Sequence, residues 1–403
     1  MVNAKSGNQD LQLSKLLLVS MLIAGAFVYQ HIFGWFYLGG RHGFGDLQYV
    51  LDRVTCIKFG WNELYSLRTE EVCTGYIYGS TLLKLLSIIK VTMIETNVIA
   101  YLIIFIFTLI FIRTVSQNLI SWPIAVFATV LFFSPPIILL FERLNIDLII
   151  FLLVYCASSV LGKRLWLLAP TSLALATLFK FYTLPLLIFH SLNLRRRWIV
   201  LIALLLPTIV LTIVDLRRIQ YLPWDARNMF GNAIWLEYVL YVIEGPYTHA
   251  NFILASLMGA GLIICVGLIV RKIGVLEGPT TTAVGRNADR IVFLLSTYTF
   301  CYFSGLSVDY RLVFLLFSYI LAEQLFSMTK VTAWVLRTSI FMSFYLSYNV
   351  EILQPLGDFS QMVCLVILWN LSWKTGLVVF GDIIDKSLKI VRIVLARVSR
   401  NRH

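Results

Sequence analysis

Long apolar runs alternate with short polar segments along most of the chain. A membrane-spanning helix needs about 20 mainly apolar residues, and several of the runs approach that length. The apolar runs are residues 16–36, 94–113, 121–141, 146–161, 165–192, 198–215, 250–270, 291–308, 311–328, 332–348 and 360–380. This pattern predicts an all-α, polytopic integral membrane protein with about 10–12 transmembrane helices.

Composition excludes an ordinary soluble protein. Hydrophobic residues make up 59% of the 403 positions and charged residues only 13%, too few polar side chains to cover a surface exposed to water. The net charge is +12, but Lys and Arg lie in short clusters between apolar runs, where they act as topology signals. We therefore expect membrane lipids and no nucleic acid as partners, and one transmembrane domain over residues 1–403.

Loop charge orients the chain in the membrane. Cytoplasmic loops carry the excess of Lys and Arg, which places both termini in the cytoplasm and residues 37–93 outside. The basic amphipathic tail, residues 383–403, is then expected to lie on anionic lipid at the cytoplasmic face. Polar residues of mixed character gather in the outer loops, so we expect the functional site on the extracytoplasmic side.

One apolar run, residues 165–192, is interrupted in its middle. Basic residues flank it on both sides, so both of its ends are expected in the cytoplasm. Lys180 and Pro185 interrupt the run, which predicts two half-helices that meet at a break near residues 179–185. Broken helices at membrane depth are tolerated where they line a protein cavity, so the break points to a site.

The first outer loop, residues 37–93, contains two amphipathic stretches. In "GGRHGFGDLQYVLDR" and the residues after it, apolar side chains recur at helical spacing on one face. These side chains are Leu47, Val50, Leu51, Val54 and Ile57. We expect this helix and a second one, residues 79–90, to lie in the membrane interface with their apolar faces toward lipid. Cys56 and Cys73 in this loop either form a disulfide or stay reduced.

Four groups of polar side chains fall on the expected outer side. The candidate site residues are His42, Asp46, Asp52 and Arg53 in the first loop, Glu142, Arg143 and Asn145 in the turn "FERLNID", Lys180 and Tyr182 at the break, and Asp309, Tyr310 and Arg311 in "SVDYR". Each group also has an ordinary structural explanation: a solvated loop carboxylate, an internally paired turn, a snorkelling lysine and a helix cap. Taken together, the cations suit a phosphate group, and one carboxylate is left to act as a base.

These segments resemble the polytopic glycosyltransferases of the GT-C class, especially the DUF2029 family of polyprenyl-phosphate-dependent hexosyltransferases, which includes bacterial mannosyltransferases. The resemblance is carried by "GFGDLQYV", "FERLNID", "ALATLFKFYTLPLLIF" and "DYRLVFLL", which follow the family's order and span most of the chain. The chain departs from the family in the second segment, where Leu144 stands in place of the usual glycine.

The resemblance implies a GT-C fold in a bacterial plasma membrane. It also implies inverting transfer of a single, mannose-like sugar from a polyprenyl-phosphate donor to a glycan or glycolipid acceptor on the extracytoplasmic face, in cell-envelope glycan biosynthesis. By this analogy Asp46 is the general base, and Asp52, Glu142 and Asp309 are the alternative bases.

The same analogy gives the cations a role at the donor phosphate. Lys180, Arg311 and Arg143 are expected to stabilise the negative charge that grows on the leaving phosphate. Some GT-C enzymes use a divalent metal, but the chain has no "DxD" triplet and its basic residues could replace an ion. We therefore expect no required metal or other cofactor.

Two other functions remain open from the sequence. A transporter or flippase for a lipid-linked or anionic solute would also use a broken helix and buried cations. A non-catalytic subunit of an envelope-polysaccharide complex is the third possibility. Loss of sugar transfer in an Asp46→Asn variant would favour the enzyme over both.

Overall fold

The computed structural model describes residues 14–25, 46–47, 50, 54, 88, 93–116, 120–160, 167–193, 197–219, 229–230, 284–303, 307–308, 311–349 and 354–376. Its longer helices are α1 (Ser14–Gly25), α2 (Met93–Val115), α3 (Trp122–Phe132), α4 (Pro135–Arg143), α5 (Ile146–Val160), α6 (Leu168–Phe179), α7 (Leu184–Asn193), α8 (Leu206–Ile219), α9 (Val284–Phe303), α10 (Leu312–Leu325), α11 (Lys330–Asn349) and α12 (Gln354–Gly376). Shorter helical pieces are Phe181–Thr183, Arg197–Val200 and a π-helical turn, Leu201–Leu205.

The described part is mostly helical, which confirms the all-α class. A two-residue antiparallel pair, β1 (Met229–Phe230) with β2 (Ser307–Val308), accompanies the helices. In this part of the chain α2 is long and apolar enough to cross a membrane, and α3 with α4 would make a second span if the bent pair is counted as one. The number of spans and the polytopic arrangement therefore stay predictions, as does the apolar run 250–270, which lies outside the described residues.

The apolar run 121–141 is divided between two helices, α3 and α4, which are bent by 50° relative to each other. Pro135 and Pro136 cause the break, because proline has no N–H for the preceding turn and is favoured in the first turn of a new helix. Ser134, in extended conformation, separates the two helices. The sequence "SPP" was therefore a signal for this bend.

The predicted break in the run 165–192 is present. Helix α6 ends at Phe179, Lys180 is extended with φ −147° and ψ 134°, and a 3-10 turn leads into α7. The hydroxyl oxygens of Thr177 and Thr183 lie 3.0 Å apart across the break. The extended backbone at Lys180 directs the chain away from the helix axis, as the half-helix interpretation requires.

An aromatic cluster forms the centre of the packing between α2, α3, α5 and α10. Ring centroids of Phe111 and Phe132 are 4.3 Å apart, those of Phe107 and Phe151 are 5.2 Å apart, and those of Phe151 and Phe317 are 4.6 Å apart. Aromatic pairs at such separations add about 0.5–1.5 kcal/mol each beyond their burial. The cluster fixes the relative positions of the helices whose ends carry the polar residues.

Helix α10 joins the two polar ends of the described bundle. Arg311 precedes its first residue, and Gln324 in its last turn donates a hydrogen bond of 2.8 Å to the carbonyl of Thr114, at the end of α2. At that second end Glu323 also pairs with Arg337, 2.9 Å from Oε1 to Nε. The charged residues of the candidate site gather at the first end.

Candidate functional site

The turn between α4 and α5 shapes the site. Leu144 ends α4 in the left-handed conformation, with φ 43° and ψ 58°, and is the single non-glycine residue with positive φ among the described residues. The amide of Asn145 donates to the carbonyl of Leu140 at 3.3 Å, and that of Leu144 donates to the carbonyl of Phe141 at 3.2 Å. This is the Schellman arrangement, which usually has glycine at the left-handed position.

Asn145, buried in this turn, connects the carboxylate of Asp46 with Lys180 and with the backbone of Asp147. Its side-chain amide nitrogen donates a hydrogen bond to Oδ2 of Asp46. Its side-chain oxygen accepts from the backbone amide of Asp147 at 2.9 Å and from the ammonium of Lys180 at 3.3 Å. One amide therefore holds the start of α5, the lysine at the helix break and the first-loop carboxylate together.

Asp147 is the centre of the charged cluster. Its side chain is fully buried, and its Oδ2 lies 2.9 Å from Nζ of Lys180 and 3.3 Å from Nε of Arg311. The hydroxyl of Tyr182 donates to its other oxygen, Oδ1. The guanidinium of Arg311 also stacks over the ring of Tyr182, with the central carbon 4.9 Å from the ring centroid. Both carboxylate oxygens are thus occupied by charged or polar donors.

Asp46 has a different environment from Asp147. Its side chain is 13% exposed, and its Oδ1 lies 3.0 Å from Nε of Arg143, whose side chain is 39% exposed. Burial raises the pKa of the Asp46 carboxyl above its ordinary value, although Arg143 and Asn145 act in the opposite direction. A carboxylate with a raised pKa is a stronger base than an ordinary aspartate.

The charges of the cluster do not cancel. Asp46 and Asp147 face three cations, Arg143, Lys180 and Arg311, so these five side chains carry an excess of one positive charge when all are ionised. Lys180 and Arg311 both contact Oδ2 of Asp147 and are therefore held side by side. Such an arrangement is suited to an anion with two or more oxygen atoms, such as a phosphate group.

Six of the candidate residues predicted from the sequence meet in this cluster. They are Asp46, Arg143, Asn145, Lys180, Tyr182 and Arg311. Glu142 is buried in the same turn. The remaining candidates, His42, Asp52, Arg53, Asp309 and Tyr310, lie outside the described residues, as do Cys56, Cys73 and the tail 383–403.

Sequence reasoning missed the central position of Asp147. The residue was recognised as part of the "FERLNID" turn, but it was not among the candidates for a role at the site. A signal was available, because an acidic residue just inside an apolar run is expected to pair with a basic residue at similar depth. Lys180 was already a candidate at such a position.

The amphipathic stretch after Asp46 packs differently from the expectation. Leu47, Val50 and Val54 have helical backbone and are buried in the hydrophobic core. The apolar face that was expected to rest on lipid is therefore, at these three positions, covered by protein. Packing against the core anchors the segment that carries Asp46.

A second buried polar network, which sequence reasoning did not identify, lies between α9 and α12. The hydroxyl of Tyr298 donates to Oε1 of Gln361 at 2.6 Å, and the amide nitrogen of Gln361 lies 3.4 Å from Oδ1 of Asp358. The hydroxyl of Tyr302 lies 3.5 Å from the backbone carbonyl of Asp358. These bonds join helices α9 and α12.

No group of three or more His, Cys, Asp and Glu side chains that could hold a metal ion occurs within the described residues. The expectation that no metal is required stays a prediction. Comparison of the chain with protein-family models, with curated proteins and with solved structures found no match in any of the three. The resemblance to the GT-C class therefore rests on the short sequence motifs alone and stays a prediction.

Proposed function

We propose that the chain is a polytopic membrane protein whose site faces the extracytoplasmic side. Helix α2 supports the membrane assignment, because it is apolar on all sides and yet exposes one of them. Val98, Leu102, Phe105 and Leu109 are exposed on that side, and Phe107 is buried on the other. Large continuous apolar surfaces are rare on soluble monomers and are typical of contact with lipid.

Contacts between chain segments support the proposed topology. The ammonium of Lys15 donates to the carbonyl of Ile120, and both residues belong to segments assigned to the cytoplasm by loop charge. Strands β1 and β2 pair with each other. Strand β1 lies in the segment between the apolar runs 198–215 and 250–270, which alternation from the cytoplasmic arginines before residue 198 assigns to the outside, and β2 lies in the outer segment "SVDYR". Segments that touch are thus assigned to the same side of the membrane.

We further propose that the protein is an inverting glycosyltransferase that moves one sugar from a polyprenyl-phosphate donor to a glycan or glycolipid. Asp46 takes the proton from the acceptor hydroxyl while the acceptor oxygen forms its bond to the anomeric carbon. The bond from that carbon to the phosphate oxygen breaks, and its electron pair leaves with the polyprenyl phosphate. The products are the glycosylated acceptor and the protonated Asp46.

The cations complete this mechanism at the leaving group. Lys180 and Arg311, held by Asp147, face the negative charge that develops on the phosphate oxygen. Arg143 is the most exposed of the three cations and pairs with Asp46 in the free protein. In the proposed cycle Arg143 turns to the donor phosphate when the donor binds, and this movement releases Asp46 for the acceptor.

A single observation carries the proposal. Asp46, from the first outer loop, and the cations at the helix break and at the start of α10 meet through one turn, although they are far apart in sequence. A base beside an array of cations is what a reaction with a phosphate leaving group and a hydroxyl nucleophile requires.

The test compares sugar transfer by the purified wild type and the Asp46→Asn variant. A radiolabelled polyprenyl-phosphate hexose is the donor, and a bacterial glycolipid extract is the acceptor. We expect Asp46→Asn to lower the rate about 10²- to 10⁴-fold, the contribution of a positioned general base. Glu323→Gln, which removes a carboxylate paired with Arg337 at the other end of the bundle, should keep the wild-type rate.

Two results would contradict the proposal. The base assignment is wrong if folded Asp46→Asn transfers sugar at the wild-type rate. The enzyme assignment is wrong if the wild type transfers sugar from none of a series of polyprenyl-phosphate donors while it moves a labelled lipid head group across liposomes. The second result would identify a transporter.

A further inference from the structure

We propose that Asp147 is a positioning residue, which holds Lys180 and Arg311 as a preformed cation pair for the donor phosphate. The inference rests on the proposed function and assigns a role to the carboxylate at the centre of the cluster. It separates the work of the two aspartates: Asp46 takes a proton, and Asp147 never touches the substrate.

The geometry around Asp147 supports a positioning role. Lys180 and Arg311 contact the same oxygen, Oδ2, and the Tyr182 hydroxyl contacts Oδ1. The contact with Arg311 is made through Nε, which together with the stacking on the Tyr182 ring fixes the plane of the guanidinium. The carboxylate thus sets the position of both cations and the orientation of one.

Burial excludes Asp147 as the base. Its side chain has no exposed surface, and both of its oxygens already accept from neighbouring donors, so an acceptor hydroxyl has no path to it. Asp46 retains partial exposure and its cation partner is half exposed. The two aspartates lie on opposite sides of Asn145, which contacts Asp46 and Lys180 directly.

The direction in which phosphate affinity changes when Asp147 is removed distinguishes positioning from simple charge neutralisation. If Asp147 only neutralised the cations, its removal would free positive charge and strengthen phosphate binding. If Asp147 positions them, its removal leaves two buried cations side by side, which repel each other and move apart, and phosphate binding weakens. Loss of a partner that orients a ligand-binding group typically costs about 10- to 100-fold in affinity at metal sites.

The experiment measures binding of undecaprenyl monophosphate to the detergent-solubilised full chain. Asp147→Asn keeps the shape of the side chain and removes its charge, and we expect it to bind the lipid about 10- to 100-fold more weakly than the wild type. Asp147→Glu restores the charge and should recover part of the affinity. Glu323→Gln breaks an ion pair away from the site and should bind like the wild type.

Kinetics and a double variant complete the test. In sugar transfer, Asp147→Asn should raise KM for the donor and lower kcat, and leave KM for the acceptor unchanged. If Asp147→Asn does not fold, the Asp147→Asn, Lys180→Met double variant removes the buried Asp147–Lys180 ion pair, a change that is often tolerated. Its donor KM should exceed that of Lys180→Met alone, because Asp147 still positions Arg311 when Lys180 is absent.

The outcomes distinguish this inference from the proposed function. Unchanged or tighter binding of undecaprenyl monophosphate by Asp147→Asn, with a wild type that transfers sugar, overturns the positioning role alone. A donor KM in the double variant equal to or below that of Lys180→Met also overturns it. A wild type that neither binds the lipid phosphate nor transfers sugar overturns the proposed function, and the role of Asp147 with it.

Discussion

Replacement of Leu144 by glycine tests the strained turn that holds the site together. Leu144 has a left-handed backbone with φ 43°, a conformation that costs a non-glycine residue about 1–2 kcal/mol. Glycine relieves this cost. The same change removes a leucine side chain that is only 1% exposed and packs in the hydrophobic core. The two effects have opposite signs, so their magnitudes decide the outcome.

The loss of packing is the larger effect. Truncation of a buried leucine typically costs about 2–5 kcal/mol, and a new glycine adds about 0.4–1 kcal/mol through the unfolded state. Subtraction of the relieved strain leaves a net loss of about 0.4–5 kcal/mol in the free energy of unfolding. Leu144 therefore remains favourable in a position that usually takes glycine, because its side chain is buried.

Leu140→Gly is the matched control. Leu140 is fully buried one turn earlier in α4, so the same atoms are lost, but its backbone is helical and no strain is relieved. Glycine in a helix interior costs about 1 kcal/mol more than alanine. This entropic cost of glycine applies to both variants, so we expect Leu140→Gly to be less stable than Leu144→Gly by about 1–2 kcal/mol, the strain that Leu144→Gly alone relieves.

The assay is unfolding of the purified protein in mixed micelles by titration with a denaturing detergent, with a thermal melt as a second measurement. The expected order of stability is wild type, Leu144→Gly, Leu140→Gly. Equal losses in the two glycine variants would refute the reasoning, because the turn at Leu144 would then store no strain. A Leu144→Gly variant more stable than the wild type would show instead that the leucine contributes little by packing.

Three further predictions concern the charged cluster. Because burial raises the pKa of Asp46 and only the ionised form can accept a proton, kcat/KM should fall as the pH decreases through a value above the ordinary carboxyl pKa of about 4. A profile that stays flat down to that ordinary value contradicts the assignment. Protonation of a group with a raised pKa favours the folded state, so the contribution of Asp46 to stability should be lost as the pH rises through the same value. Arg311→Lys keeps the charge but loses the stacking on Tyr182, so it should raise the donor KM about tenfold. A donor titration that matches the wild type would show that the planar guanidinium is not needed.

Loop charge and helix-breaking residues predicted much of the site's location. The break at Lys180 followed from one requirement, that both ends of the run 165–192 face the cytoplasm, and it is present in the structure. The same rule placed the first loop, the "FERLNID" turn and the start of α10 on one side. Residues from all three segments meet in the cluster.

Side-chain pairing could not be read from the same rules. Charge counts place Asp46, Asp147 and the cations on one side of the membrane, but they do not tell which carboxylate takes which cation. The pairing depends on depth: Asp147, fully buried in the first turn of α5, contacts Lys180, and the partly exposed Asp46 contacts the more exposed Arg143. Depth is set by the packing of whole helices, and packing has no local signature in the sequence.

The same hydrophobic core packs against the segment that carries the proposed base and against the turn that positions the cations. Phe141 and Phe151 pack with Phe107 directly beside the turn that carries the cation-binding carboxylate. Leu47 and Val50, next to the proposed base, are buried in that core as well. The base and the cations are therefore fixed relative to each other before any substrate binds, so most of the cost of arranging them is met during folding. The one movement that the mechanism needs is the release of Asp46 by Arg143, and it falls on the most exposed ion pair of the cluster.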